Sequence, residues 1–279
     1  MNNLIKSHQF SRGILVFFLL STLCFIPAIH GQNSWYKSTA FSDDEYLKYQ
    51  VKWGPIRLGT IEIFQKQSLT SQAPSYQIEM HARSENLPFI DVFFINKGIL
   101  NPTHPTLQDF ELTVGKEMTN KSHYTYNPEK RVVYLETRES DIIVRQDSVL
   151  IAEEIYDALG IFMMMRCLSS SGFKVMLQNI VDFNVKTTEI NFSGNQKNVK
   201  VAGFEKSVSA LQFSGKANWE GKAWAGVTGN FTGWISDDLA AIPLKVQIKI
   251  FLGSITLELE KYQRPDSLLA DSNQVLNQN

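Results

Sequence analysis

The stretch Lys245-Val-Gln-Ile-Lys-Ile-Phe-Leu-Gly-Ser-Ile-Thr-Leu-Glu-Leu-Glu260 decides the fold. Val246, Ile248 and Ile250 alternate with Lys245, Gln247 and Lys249. After Gly253-Ser254, Ile255, Leu257 and Leu259 alternate with Thr256, Glu258 and Glu260. A repeat of two sends every apolar side chain to one face of a strand and every polar one to the other, the pattern of an antiparallel sheet with one dry and one wet face. The rhythm recurs at Tyr49, Val51 and Trp53, and at Tyr76, Ile78 and Met80. Further strands are expected over 60–66, 91–95, 110–114, 123–126, 132–137, 142–146, 180–186, 188–192, 199–203 and 210–213. Gly54-Pro55, Asn127-Pro128, Gly194-Asn195 and Gly253-Ser254 supply the turns between them.

One segment breaks the rhythm. Asp157-Ala-Leu-Gly-Ile-Phe-Met-Met-Met-Arg-Cys-Leu168 has no period of two, and Asp157 is placed to cap the free N–H groups of a short helix. Leu159, Phe162, Met163 and Arg166 share one stripe, and Ala158, Ile161 and Met165 share another, so the helix is apolar nearly all round and expected to be wrapped by the sheet. The consecutive methionines 163–165 diverge on a helix and read as adaptable core filling. Arg166 lies on the first stripe, where a buried guanidinium must be paired or reach water; a carboxylate or strand-end carbonyls are its expected partners.

The N-terminus has a different character. Lys6 and Arg12 precede a run that is apolar from Gly13 to Ile29 apart from Ser21, Thr22 and Pro27, and Gly31 supplies a small residue for cleavage. Residues 1–31 therefore read as a cleavable secretory signal, leaving no permanent membrane span, and the mature chain is expected in the periplasm or cell envelope, or secreted. Cys24 follows Leu23, unlike a lipoprotein acceptor. Loss of the leader leaves 25 basic against 28 acidic residues and no basic run, so nothing favours nucleic acid or an anionic membrane surface. Cys167 is then the only cysteine, so no intramolecular disulfide forms. Residues 32–44 and 264–279 are polar and aperiodic and read as a flexible linker and tail around one domain at 45–263.

Catalytic patterns are scarce. The mature histidines, His81, His104 and His123, have no metal-ligand spacing, and His104 sits between Pro102 and Pro105 in an expected loop. Gly-x-Ser-x-Gly is absent, and the Ser-x-x-Lys matches at Ser34 and Ser171 open no buried helix. Cys167, at the end of an apolar helix, reads as an inert buried thiol. The glycines from Gly226 to Gly233 lie between strands and suit turns or bulges better than a phosphate loop. Asp237 and Asp238 read as turn residues, since adjacent carboxyls diverge. No motif calls for a metal or cofactor.

Three stretches in order resemble the bacterial exported family known as domain of unknown function 3108 (DUF3108). Glu45-Tyr-Leu-Lys-Tyr-Gln-Val-Lys-Trp-Gly-Pro-Ile-Arg-Leu-Gly-Thr60 is similar to its opening hairpin. Tyr156-Asp-Ala-Leu-Gly-Ile-Phe-Met-Met-Met-Arg166 is similar to its Asp-Pro-Leu-Ser helix ending in Arg, with Ala158 for the proline and Gly160 for the small hydroxyl residue. Gly233-Trp-Ile-Ser-Asp-Asp-Leu-Ala-Ala-Ile-Pro243 and Ile250-Phe-Leu-Gly-Ser-Ile-Thr-Leu-Glu-Leu-Glu260 are similar to its closing hairpin. The resemblance implies an exported β domain and assigns no activity.

The sequence thus leads to a mainly β, single-domain curved antiparallel sheet, a half-open β-barrel with one short buried helix at 157–168. The expected role is a non-catalytic envelope scaffold binding a hydrophobic, lipid-like molecule or an envelope partner. The competing reading is an envelope hydrolase acting on glycan or lipid through scattered residues, for instance Asp237 or Asp182 beside a histidine. Candidate ligand-binding residues are Trp53, Arg57, Tyr156, Arg166, Trp234 and Asp237.

Overall fold

A computed structural model describes residues 36–68, 74–85, 92–170, 172–181, 183–202, 204, 206–217, 229–250 and 253–265. The chain divides into two units, Met1–Ser34 and Trp35–Asn279, and all the described residues belong to the second. The proposed signal at 1–31, the tail beyond residue 265, and Asp182 lie outside the described residues, among which no helix is long and apolar enough to cross a membrane.

Among the described residues the fold is one sheet of 15 strands, one α-helix and a short 3-10 turn at Ser38–Ala40. The first meander comprises β1 (Glu45–Trp53), β2 (Ile56–Ser68), β3 (Ser75–Ser84), β4 (Phe93–Asn101), β5 (His104–Val114), β6 (Asn120–Asn127), β7 (Val132–Glu139) and β8 (Ile142–Leu150). A short β9 (Ile155–Tyr156) leads into helix α1 (Ala158–Cys167). The second meander comprises β10 (Phe173–Val181), β11 (Asn184–Val199), β12 (Val208–Ala217), β13 (Gly229–Ser236), β14 (Pro243–Ile250) and β15 (Gly253–Gln263). The two meanders join through the antiparallel pair of β1 and β15, so the first and last strands lie in the middle of the sheet. Among the described strands, only β9 pairs in parallel, against β10.

The sheet curls without closing its hydrogen-bond ladder. Phe183, in the turn between β10 and β11, reaches Tyr124 on β6 with ring centroids 6.4 Å apart, and Arg145 of β8 stacks 3.5 Å from the Phe183 ring centroid. This is the half-open barrel that the alternating pattern predicts. Gly59 marks one place where β1 and β2 are bulged: a Cβ there would lie 2.2 Å from the Arg83 carbonyl oxygen, so only glycine permits the approach of β3.

Three differences from the sequence reading have local causes. The apolar run 180–186 spans a chain reversal: β10 ends at Val181, β11 begins at Asn184, and Phe183 has φ 66°. Periodicity misses this turn because Phe183 is an apolar turn residue that packs across the barrel. Conversely, Gly194-Asn195 is no strand break. It is a bulge within the 16-residue β11, where the register against β12 shifts between Phe192 and Gln196. His104 opens β5, paired with Asn101, because the preceding turn is tighter than the flanking prolines suggest.

Residues 36–44, read as a flexible linker, are packed. Ala40, Phe41 and Ser42 are buried, the Lys37 N–H donates to the Cys167 carbonyl at 2.7 Å, and the Tyr36 hydroxyl donates to the Pro102 carbonyl at 2.7 Å. The segment covers the C-terminal end of α1, which would otherwise present apolar surface and an unmet carbonyl to water.

Candidate functional site

The helix organises two environments. The Asp157 carboxylate accepts from the Gly160 N–H at 2.7 Å, capping α1 as its sequence position requires. Burial pushes the Asp157 carboxyl up to about 6 against the lowering effect of its backbone hydrogen bonds. Gly160 faces β5: a Cβ there would stand 2.7 Å from the Pro105 carbonyl oxygen, so the helix backbone lies directly on the strand.

On one face, Leu159, Met163 and Arg166 are fully buried. The Arg166 guanidinium donates to both oxygens of Glu45, at 2.6 and 2.8 Å, and to the Ala240 carbonyl at 2.9 Å. Glu45, the first residue of β1, also accepts from Arg264 at 3.2 Å, and Arg264 donates to the Thr39 carbonyl at 2.6 Å. Burial opposes the Arg166 charge, but Glu45 outweighs it and holds the pKa above the ordinary arginine value. These pairs tie helix, first strand, N-terminal segment and the chain after β15 together. Arg264 is therefore part of the packed domain, although the sequence reading assigns it to the tail.

On the other face, Ala158, Ile161, Phe162 and Met165 line a cavity of about 180 Å³. Phe162 is partly buried and belongs to both sides: as the helical stripe expects, it packs against the core that contains Leu159 and Met163, with Arg166 Cζ 5.5 Å from its ring centroid, and it also borders the cavity. The remaining wall comes from the inward faces of β1–β3 and β11–β15, including Val246, Ile248 and Leu257 of the closing hairpin. Cross-strand pairing explains two aromatic walls. Phe213 lies opposite Gly233 and Phe231 opposite Gly215, and a Cβ on either glycine would collide with the facing ring at 2.4 and 2.2 Å respectively. The glycines let the rings lie flat against the sheet.

The lining is almost wholly hydrocarbon. Two lining side chains carry a hydroxyl. That of Thr188 donates to Asn179 Oδ1 at 3.1 Å. The Tyr49 hydroxyl is buried and, among the described residues, has no hydrogen-bond partner, a state that costs about 1–3 kcal/mol. Burial raises its pKa above the ordinary tyrosine value, partly offset by the nearby Arg166 charge.

The six candidate residues do not meet at this cavity. Trp53 is exposed at the end of β1. Arg57 is paired with Glu260 at 3.1 Å and with Glu85 on the outer surface, and the Glu260 hydrogen bond raises its pKa. The Tyr156 hydroxyl donates to Glu154 at 2.8 Å. Arg166 is in the buried node. Trp234 carries Lys197 at 4.8 Å from its ring centroid and lines a separate outer hollow of about 250 Å³ with Lys200 and Lys245. Asp237 accepts from the Gln196 amide at 2.8 Å, and in the same turn Ser236 Oγ accepts from the Ile242 N–H at 2.7 Å. The residues that sequence reasoning missed are Tyr49, Phe213, Phe231 and the partner Glu45. Their alternation marks them as inward-facing but carries no sign that a void separates them.

His104 pairs with Glu154 at 3.0 Å, His123 with Asp109 at 2.8 Å, and His81 with Glu79, none of them at the cavity. Among the described residues, no three of His, Cys, Asp and Glu gather as a metal site. Burial pushes the Cys167 thiol up to about 11, which keeps it protonated near neutral pH.

A family model described as "Protein of unknown function (DUF3108)" matches residues 48–260, spanning both meanders and the helix between them. The chain belongs to the DUF3108 family. No curated protein matches. Among solved structures, this DUF3108 domain is similar to the β-barrel-like protein of domain of unknown function DUF1849 from Brucella abortus, with a TM-score of 0.52 at 10% identity over 81% of this chain and 99% of that one. The likeness shows the fold.

Proposed function

We propose that this DUF3108 domain is a non-catalytic scaffold of the cell envelope that holds a hydrophobic ligand inside its half-open barrel. The observation that carries the reading is the hydrocarbon-lined cavity between α1 and the inward strand faces. A packed interior of this size has few voids larger than a water molecule, and apolar voids stay dry, so such a space is a receptacle for an apolar group. The envelope setting rests on the leader-like sequence at 1–31.

Native mass spectrometry of protein purified from its own envelope tests this directly. The expected result is an added mass that organic extraction releases as a lipid-like molecule, and that is lost when Ala158→Phe fills the cavity. A protein that carries no such mass, and that binds the apolar dye N-phenylnaphthylamine no better than the Ala158→Phe variant does, would overturn the reading.

A further inference from the structure

We infer that the outer hollow at Trp234 is a second binding site, built for a phosphate monoester, with Lys197, Lys200 and Lys245 holding the phosphate. The site is independent of the hydrocarbon cavity. Val246 and Ile248 of β14 line the cavity, whereas Lys245 and Gln247, alternating with them, line the hollow, so the sheet itself separates the two.

The charge arrangement carries the inference. Lys197, near the end of β11, and Lys200, just beyond it, share the hollow with Lys245, and among the described residues its lining holds no carboxylate. The lysines in ion pairs, again among the described residues, are Lys48, Lys52, Lys97 and Lys174, none of them here. Trp234 sits opposite Lys245 in the β13–β14 register and carries the Lys197 ammonium 4.8 Å from its ring centroid, which holds that charge at the hollow. Glu258 lies opposite Lys245 on β15, but its two oxygens are taken, by Lys52 at 2.6 Å and by the Ala202 N–H at 3.1 Å. Like charges gathered in one hollow repel, and an oxyanion among them turns that repulsion into attraction.

A phosphate monoester matches this better than a carboxylate does. It brings about −1.5 to −2 charges and three terminal oxygens to the ammonium groups, where a carboxylate brings a single charge. The carboxamides of Asn198 and Gln247 add N–H donors to the same wall. The volume of about 250 Å³ leaves room beyond one phosphate, and the polar walls suit a hydroxylated body such as a sugar or glycerol.

The test is calorimetric titration of the purified protein with glucose 6-phosphate and with glucose, at about pH 8, where a phosphate monoester is doubly charged. The wild type should bind glucose 6-phosphate and not glucose, and Lys197→Gln/Lys245→Gln should weaken that binding at least about tenfold. Lys200→Gln alone should weaken it several-fold, which reads the same hollow from beyond the strand should the double change disturb folding. Lys66→Gln/Lys130→Gln removes equal charge from the first meander and should leave affinity within about twofold. Retention on phosphatidic acid vesicles but not on phosphatidylcholine vesicles, lost in the double variant, would support the site and place the phosphate on a lipid. Glucose 6-phosphate binding without vesicle retention would support it and place the phosphate on a soluble sugar. A wild type that binds neither phosphate carrier, binding that survives the hollow variants, or an equal loss in the first-meander control would overturn the inference.

Discussion

The two faces of α1 are built on opposite rules. The Leu159, Met163 and Arg166 face is packed without slack, and its one charge is matched by Glu45 and a backbone carbonyl. The Ala158, Ile161, Phe162 and Met165 face is as apolar but borders the hydrocarbon-lined cavity. A fully satisfied polar node fixes one arrangement of the chain, because every alternative strands a buried charge. On the proposed reading, a ligand's hydrocarbon would supply the contacts that the second face does not make within the chain. The same short helix thus serves as a staple on one side and as a wall on the other.

The sharpest break in that contrast is Glu45→Ala, which leaves two buried arginines without their shared carboxylate. Denaturant unfolding should show a loss of about 3–5 kcal/mol, and a loss under about 1 kcal/mol would mean that the node does not hold the fold.

Next comes a matched pair one residue apart. Met163→Ala should cost about 2–5 kcal/mol by leaving a cavity in packed core. Phe162→Ala should cost about 1–2 kcal/mol, because the ring packs against both cores but borders the cavity, so only part of its area is removed from water. The stripe read from sequence expects about 3–5 kcal/mol for Phe162, so equal losses at the two positions would restore that reading and collapse the distinction between the faces.

Gly160→Ser should cost about 1–3 kcal/mol, since its Cβ must push the helix off the Pro105 carbonyl of β5. The family resemblance places a small hydroxyl residue at this position. The structure makes it a contact point, and an unaltered melting temperature for the serine variant would contradict this.

The last effect is one of pH. The Asp157 carboxyl titrates at about 6 when folded, against 3.8 for the free group. Below pH 3.8 both states hold the proton; from there to about 6 only the folded state does, so stability falls as pH rises and then levels. The wild type should therefore lose on the order of 1–3 kcal/mol across that window relative to Asp157→Asn, which keeps a capping oxygen but does not titrate. Parallel stability profiles for the two proteins would remove the effect.

Period-two alternation around Val246–Ile250 and Ile255–Leu259, a capping aspartate opening a mostly apolar dodecamer at Asp157–Leu168, and one arginine on that dodecamer determined a curled antiparallel sheet, a buried helix and a buried charge needing a partner. These features are local: strand faces, caps and burial follow from neighbours two to four residues away. Which carboxylate meets Arg166 was not legible, because Glu45 lies 121 positions earlier and pairs only through the closure of β1 on β15. The cavity was illegible for a related reason. An inward-facing side chain has the same pattern whether it touches another side chain or empty space, and only the curl of the sheet around α1 decides the distance between them. The six candidate residues were chosen for their chemistry, and the fold dispersed them over turns, outer faces and the buried node. What the tertiary structure brought together at the cavity were inward-facing hydrocarbon side chains from both meanders and one face of the helix.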